Sequence, residues 1–216
     1  MIVEDRASVA RQLARVLPTF DGIEVAGTFR TGQSAVDGAT GCGPDVILLD
    51  LNLPDLDGIA VAKAVRARLP RVEILIFTVL EDDEKVLEAI RSGASGYLLK
   101  GASAERVVEA IREVHGGGSV IQPALARRLI KQFLPAQAGE ASAGDRVSQP
   151  PPPLTDRELE ILELIAKGLS NAEAARALGL SPGTVRTHLE HIYEKLEVSN
   201  RTEAVTQGIR RGLIEL

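Results

Sequence analysis

Residues 45–58 read DVILLDLNLPDLDG. Val46 to Leu49 are four apolar residues in a row, with no polar alternation, which predicts a strand buried on both faces. Such strands belong to parallel sheets covered by helices on either side. The run stops at Asp50 and passes into a turn rich in Asp, Pro and Gly. On either side of it, MIV (1–3), GIEVAG (22–27), VEILIFT (72–78) and SGYLLK (95–100) are four further short β-rich runs. Between them the apolar spacing predicts helices over about 7–17, 33–39, 58–68, 82–92 and 103–115. The alternation predicts an α/β doubly wound domain on a five-stranded parallel sheet. Function in such a fold collects at the carboxyl ends of the strands, where strand order reverses.

The 216 residues are 44% apolar and 25% charged, a globular composition sufficient for one or two domains. No apolar run approaches the roughly 20 residues that cross a bilayer, and MIVEDR lacks a signal-peptide pattern, so a cytoplasmic protein with no membrane partner is expected. The one cysteine, Cys42, cannot by itself make an intramolecular disulfide or a zinc site, and its TGCGP setting predicts a loop. Residues 1–120 carry 13 Lys/Arg against 18 Asp/Glu, and residues 154–216 carry 8 against 10. Without a basic block, a nonspecific histone-like binder is excluded, and any nucleic-acid role must rest on a placed motif. Pro135 to Pro153, PAQAGEASAGDRVSQPPPP, is poor in large apolar residues and ends in four prolines, the composition of an extended spacer. The expected organisation is a first domain over 1–118, a connecting helix and linker over 119–153, and a second domain over 154–216.

The strand ends of the first domain bring Glu4 and Asp5, Asp50, Thr78 and Lys100 to one rim. Three acids packed together repel one another unless a cation sits among them, and an oxygen donor set with open positions suits Mg²⁺. Glu4 and Asp5 would hold the metal, Asp50 would be ligand and nucleophile toward phosphorus, and Thr78 and Lys100 would bind phosphoryl oxygens. Taken singly, each is equally explained as ordinary loop chemistry; the joint placement carries the reading. Asp55, Asp57 and Gly58 read as the turn into the next helix, and Glu81 to Glu84 as negative charge at a helix N-terminus.

MIVED, DVILLDLNLPDLDG, ILIFT and ASGYLLK together resemble the receiver domain of bacterial two-component response regulators, which is flavodoxin-like. The resemblance implies phosphoryl transfer from a sensor histidine kinase to Asp50, Mg²⁺ held by Glu4, Asp5, Asp50 and the backbone carbonyl of Asn52, and a switch pair at Thr78 and Tyr97. The chain departs from the family in its short first strand, in Glu4 where an Asp is common, and in Val79 where the family has a small residue.

From Leu154 onward four helices are signalled. Thr155 with Glu158 and Ser170 with Glu173 have capping-box spacing, Ser181 precedes a proline, and Asn200 with Glu203 repeats the pattern. Helices are expected over 156–167, 171–178, 182–195 and 200–211. The middle pair has helix-turn-helix proportions, with Val185, Ile192 and Leu196 as a core stripe. Arg186, Thr187, Glu190 and Glu194 then face outward, where Arg186 can contact guanine and Glu190 cytosine. A helical bundle for protein contacts fits the same spacing. LTDRELEILELIAKGLSNAEAARALGLSPGTVRTHLEHIYEKLEVSNRTEAV resembles the LuxR-type helix-turn-helix, and with a receiver in front the chain is similar to NarL/FixJ-type response regulators. That resemblance puts Arg186, Thr187 and Glu190 against the bases of promoter double-stranded DNA. His188 and His191, at i, i+3 spacing without an acid or thiol partner, read as helix-packing and phosphate-side residues rather than metal ligands. A unit of this charge is expected to bind DNA as a homodimer on adjacent half-sites. Glu197 stands where the family often has Gly or Asn, and positive φ there would be strained by about 1 kcal/mol. Two other readings remain: a haloacid-dehalogenase-type phosphatase, disfavoured by Asn52 in place of a second acid, and a regulator of the same architecture that acts without phosphorylation. No enzymatic role is expected.

Overall fold

The computed structural model describes residues 1–79, 83–120, 153–198 and 200–214. The expected connecting helix and nearly all of the linker lie outside the described residues. The chain divides into two compact units, Met1–Gln122 and Pro123–Leu216.

The first unit is a five-stranded parallel sheet in the order β2-β1-β3-β4-β5, with β1 Ile2–Val3, β2 Thr28–Phe29, β3 Val46–Leu49, β4 Glu73–Thr78 and β5 Gly96–Leu99. Its helices are α1 Ala7–Val16, α2 Gly32–Cys42, α3 Gly58–Arg68, α4 Asp83–Arg91 and α5 Ala104–His115, and α1 runs on into a 3₁₀ turn, Leu17–Thr19. Alternate strand residues face opposite layers. Ile2, Leu48, Leu75, Phe77 and Leu98 form one core with Val107, Val108, Ala110 and Val114 of α5, against which Val9 and Leu13 of α1 pack. Ile47, Leu49, Ile74 and Ile76, of the other parity, are equally buried. Each such side chain contributes about 1.5–3 kcal/mol of burial, which is why the apolar runs form the centre of the sheet.

Two expectations change. GIEVAG is not the second strand: the ladder falls at Thr28–Phe29, with only Gly27 accepting from the Ile2 amide at 2.9 Å. An edge strand pairs only as far as its neighbour extends, and β1 offers two residues. Cys42 is not in a loop but is the last residue of α2, which Gly43 ends in the left-handed conformation at φ 54°. The helix therefore runs three residues beyond the expected 39.

The second unit holds α6 Asp156–Ala166, α7 Asn171–Leu178, α8 Pro182–Leu196 and α9 Arg201–Arg210. Both capping boxes form, at Thr155/Glu158 and Ser170/Glu173, and Ser181 and Asn200 cap α8 and α9. Ile161, Leu162, Ile165, Val185, Leu189, Ile192 and Leu196 make the core. Leu189 joins the stripe expected from Val185, Ile192 and Leu196. Arginines close three helix ends: Arg201 donates to the carbonyls of Ile165 and Leu169, Arg157 to Leu178, and Arg211 to Leu196. Cations there also meet the negative end of the helix dipole.

Candidate functional site

Strand order reverses between β1 and β3, so their carboxyl ends flank the crevice that doubly wound sheets use for ligands. The Asp50 amide donates to the Val3 carbonyl at 2.9 Å, which sets the tip of β3 beside the acidic pair that follows β1. Carboxylate oxygens of Glu4, Asp5 and Asp50 all lie within 4.8 Å of one another. Glu4 and Asp50 are 1% and 2% exposed, whereas Asp5 is half-buried. Lys100, from the end of β5, places its Nζ 2.7 Å from Glu4 Oε2 and 2.7 Å from Asp50 Oδ2. The Asn52 amide donates to Asp50 Oδ1 at 3.2 Å. Thr78 is fully buried at the end of β4, and its carbonyl accepts from the Lys100 amide at 2.8 Å. Tyr97, paired in register with Ile76, is buried at 4% exposure, and Val79 is exposed.

The residues fit a divalent cation. Burial pushes the Glu4 carboxyl above its usual range, with Asp50 adding to the rise and Lys100 opposing it. Glu4 Oε2 is buried and meets the Lys100 ammonium at 2.7 Å, and Asp50 Oδ2 meets the same ammonium at 2.7 Å. Three carboxylates against one ammonium leave a local charge of about −2, which a hard oxygen-seeking dication would balance.

Sequence reading passed over three features here. Lys85 of α4 lines the cleft of about 470 Å³ in front of the acids, together with Asp5, Asn52, Pro54 and Asp57. No local pattern marks it, because α4 packing alone brings it there. Asp55 does more than build a turn: its carboxylate accepts from the Gly32 and Gln33 amides at 2.7 and 2.9 Å, capping α2 from the loop that follows Asp50. Gly58 is needed for close approach as well as for the turn, since a Cβ there would sit 2.5 Å from the Asp50 carbonyl oxygen. The turn reading of Asp57 corresponds to a helix cap, its side chain accepting from the Ile59 amide at 2.9 Å.

In the second unit, Gly179 ends α7 in the left-handed conformation and Ser181 starts α8, giving a tight helix-turn-helix. Along α8, Thr187, His191 and Glu194 are exposed, while Arg186, His188 and Glu190 are half-buried. The outward placement expected for Arg186 and Glu190 is thus only partial. The Thr187 hydroxyl donates to the Gly183 carbonyl at 3.2 Å, so it turns back on its own helix. Glu197 has φ 58° and is the one non-glycine residue with positive φ among the described residues.

A doubly wound domain with a lysine-bridged acidic rim and a separate helix-turn-helix unit define a class of two-domain regulators. The profile described as "Response regulator receiver domain" matches residues 1–112, and the one described as "Bacterial regulatory proteins, luxR family" matches residues 152–207. The transcriptional regulatory protein LnrK of Bacillus subtilis (strain 168) is 34% identical over 215 residues, 99% of this chain and 97% of that protein. The response regulator protein VraR of Staphylococcus epidermidis is 34% identical over 216 residues, covering 100% of this chain and 98% of that one. The crystal structure of the response regulator ChrA, from a heme-sensing two-component system, aligns with a TM-score of 0.50 at 34% identity over 99% of this chain and 97% of that chain. The chain belongs to the NarL/FixJ-type response regulators, with a receiver domain and a LuxR-type helix-turn-helix. It is a DNA-binding transcriptional regulator of a two-component system. Regulators of this kind are generally not enzymes, and their receiver domains typically hold Mg²⁺ at acidic residues such as this cluster. Among the described residues, no helix is long and apolar enough to cross a membrane.

Proposed function

We propose that Asp50 accepts a phosphoryl group from the phosphohistidine of a sensor histidine kinase in the cytoplasm. An Asp50 carboxylate oxygen attacks phosphorus, the P–N bond breaks, and the imidazole leaves with the electron pair, giving an aspartyl phosphate. Glu4, Asp5, Asp50 and the Asn52 carbonyl would hold Mg²⁺, which when bound supplies positive charge to the phosphoryl oxygens. Lys100, already between Glu4 and Asp50, moves its ammonium onto a phosphoryl oxygen, and Thr78 donates its hydroxyl to another. Tyr97 is the aromatic partner of Thr78 in the resulting switch. The observation that carries the reading is the Lys100 ammonium at 2.7 Å from both buried carboxylates, a charge poised where phosphoryl oxygens would arrive.

The output is dimerisation on promoter DNA. Two copies of the C-terminal unit on adjacent half-sites gain affinity through effective concentration, which a unit with 8 Lys/Arg against 10 Asp/Glu needs. Arg186, Thr187 and Glu190 read base edges and His191 lies toward the phosphates, with Thr187 contributing its methyl while its hydroxyl stays on the helix. Residues 119–153 are the connector between the two domains in this reading. Intact mass after incubation with a small phosphodonor and Mg²⁺ tests the first step. One added phosphate, absent in Asp50→Asn, is expected, together with a shift to dimer in sedimentation. No adduct under excess donor, with undiminished DNA binding, would instead make this a regulator that works without phosphorylation.

A further inference from the structure

β5 is the edge of the sheet, so the amides on its outer side need an acceptor from elsewhere. The chain supplies one itself. After α5 it turns sharply, with the Gly116, Gly117 and Gly118 amides donating to the carbonyls of Arg112, Val114 and Glu113 at 2.9, 2.9 and 2.8 Å. It then runs back along β5, where Val120 forms a parallel bridge with Gly96 and its carbonyl accepts from the Tyr97 amide at 2.7 Å. Val120 is 5% exposed and belongs to the core of Leu75, Phe77 and Leu98. The approach depends on glycine: a Cβ at Gly96 would lie 3.0 Å from Leu75 Cδ1 and 3.1 Å from both the Cβ and the carbonyl oxygen of Val120.

Tyr97 thus sits between two attachments. On its inner side β5 pairs with β4, Leu99 in register with Thr78 and the Lys100 amide on the Thr78 carbonyl. On its outer side it holds the last described residue before the segment that leads to the DNA-binding unit. We propose that the Gly96–Val120 bridge is the mechanical link through which a change at Thr78 and Tyr97 reaches the interdomain connector. This rests on the phosphorylation reading above. When β5 shifts to accommodate the phosphoryl group, the Tyr97 amide and the Val120 carbonyl part, and the connector is released from the sheet edge. A bridge that merely seals the edge would stay closed in both states.

The test compares the full chain with Gly96→Val, which crowds the bridge, and Val120→Asp, which puts a charge where the side chain is buried. Each is treated with a small phosphodonor and Mg²⁺. Phosphate uptake is read by intact mass, self-association by sedimentation, and the Tyr97 amide by hydrogen exchange. In the parent, phosphorylation is expected to lower Tyr97 protection and to promote self-association. Both variants should take up phosphate as the parent does, show low Tyr97 protection in either state, and lose the phosphorylation-dependent gain in association. Variants with low protection that keep the parental gain would overturn the link. If a variant fails to fold, the parent alone decides: unchanged Tyr97 protection alongside a full gain in association overturns the link. A parent that takes up no phosphate overturns the phosphorylation reading and this link with it.

Discussion

Two residues have conformations or charges that the surrounding structure must hold in place. Glu197 ends α8 at φ 58° and ψ 46°, a region costly for a residue with a Cβ. Glu197→Gly should stabilise the C-terminal unit by about 1 kcal/mol, read as a higher midpoint in urea denaturation of the full chain. An unchanged or lower midpoint would mean that the side chain offsets the strain. Lys100 is the second case. Its ammonium is the cation between Glu4 and Asp50, whose side chains are 2% exposed. Removing one partner from a buried ionic group leaves charge without compensation, so Lys100→Ala should destabilise the receiver unit by about 3 kcal/mol in metal-free buffer. Added Mg²⁺ should return part of that loss, and equal stability with and without Mg²⁺ would count against the cluster as a cation site.

At the scale of elements, most of the architecture is capped locally, and the periodicities that predict helices place nearly all of them. Glu158 extends a local cap into a tertiary contact. It takes the Thr155 amide and hydroxyl at the start of α6 and also the Lys195 ammonium, at 2.6 Å, from the last turn of α8. Burial pushes its carboxyl upward, but the hydrogen bonds from Lys195 and Thr155 outweigh this and hold it below the ordinary 4.5. A lowered carboxyl stabilises the fold while ionised. The contribution is complete above pH 4.5 and is lost as pH falls through the folded-state value. Protection of the α6 amides against hydrogen exchange should therefore fall as pH drops below about 4.5, after correction for intrinsic exchange, and Glu158→Gln should flatten the dependence. Thr155→Ala should cost about 1 kcal/mol by removing the cap hydroxyl. The second strand was less legible. GIEVAG carries the apolar alternation, yet pairing falls on Thr28 and Phe29, because an edge ladder is positioned by its neighbour rather than by its own pattern.

At the scale of the whole molecule, the cations of the C-terminal unit differ in what they hold. In the C-terminal unit Arg157, Lys195, Arg201 and Arg211 reach from one helix to another element, while Lys167, Arg176 and Arg210 are exposed and Arg186 is half-buried on α8. The two sets should separate experimentally. Under the proposed base contact, Arg186→Ala should weaken binding to a preferred DNA sequence by about 1–3 kcal/mol. Arg201→Ala should lower the denaturation midpoint first, through the carbonyls it leaves at the end of α6. Equal losses of both properties in both variants would show that the division is wrong.

The βα alternation, the parallel sheet, the helix caps from Thr155 to Asn200 and the acids at the strand ends are legible in the order of residues alone. Each follows from spacing within a few residues, which is where periodicity and capping chemistry act. It took the folded chain to show that Asp55 caps α2, that Lys85 lines the cleft, that Cys42 ends a helix, and that Val120 docks on β5 beside Tyr97. Apart from the Cys42 helix end, these contacts join residues more than twenty positions apart, and they form because sheet order and helix packing bring distant backbone groups within hydrogen-bonding reach. No local spacing encodes that proximity.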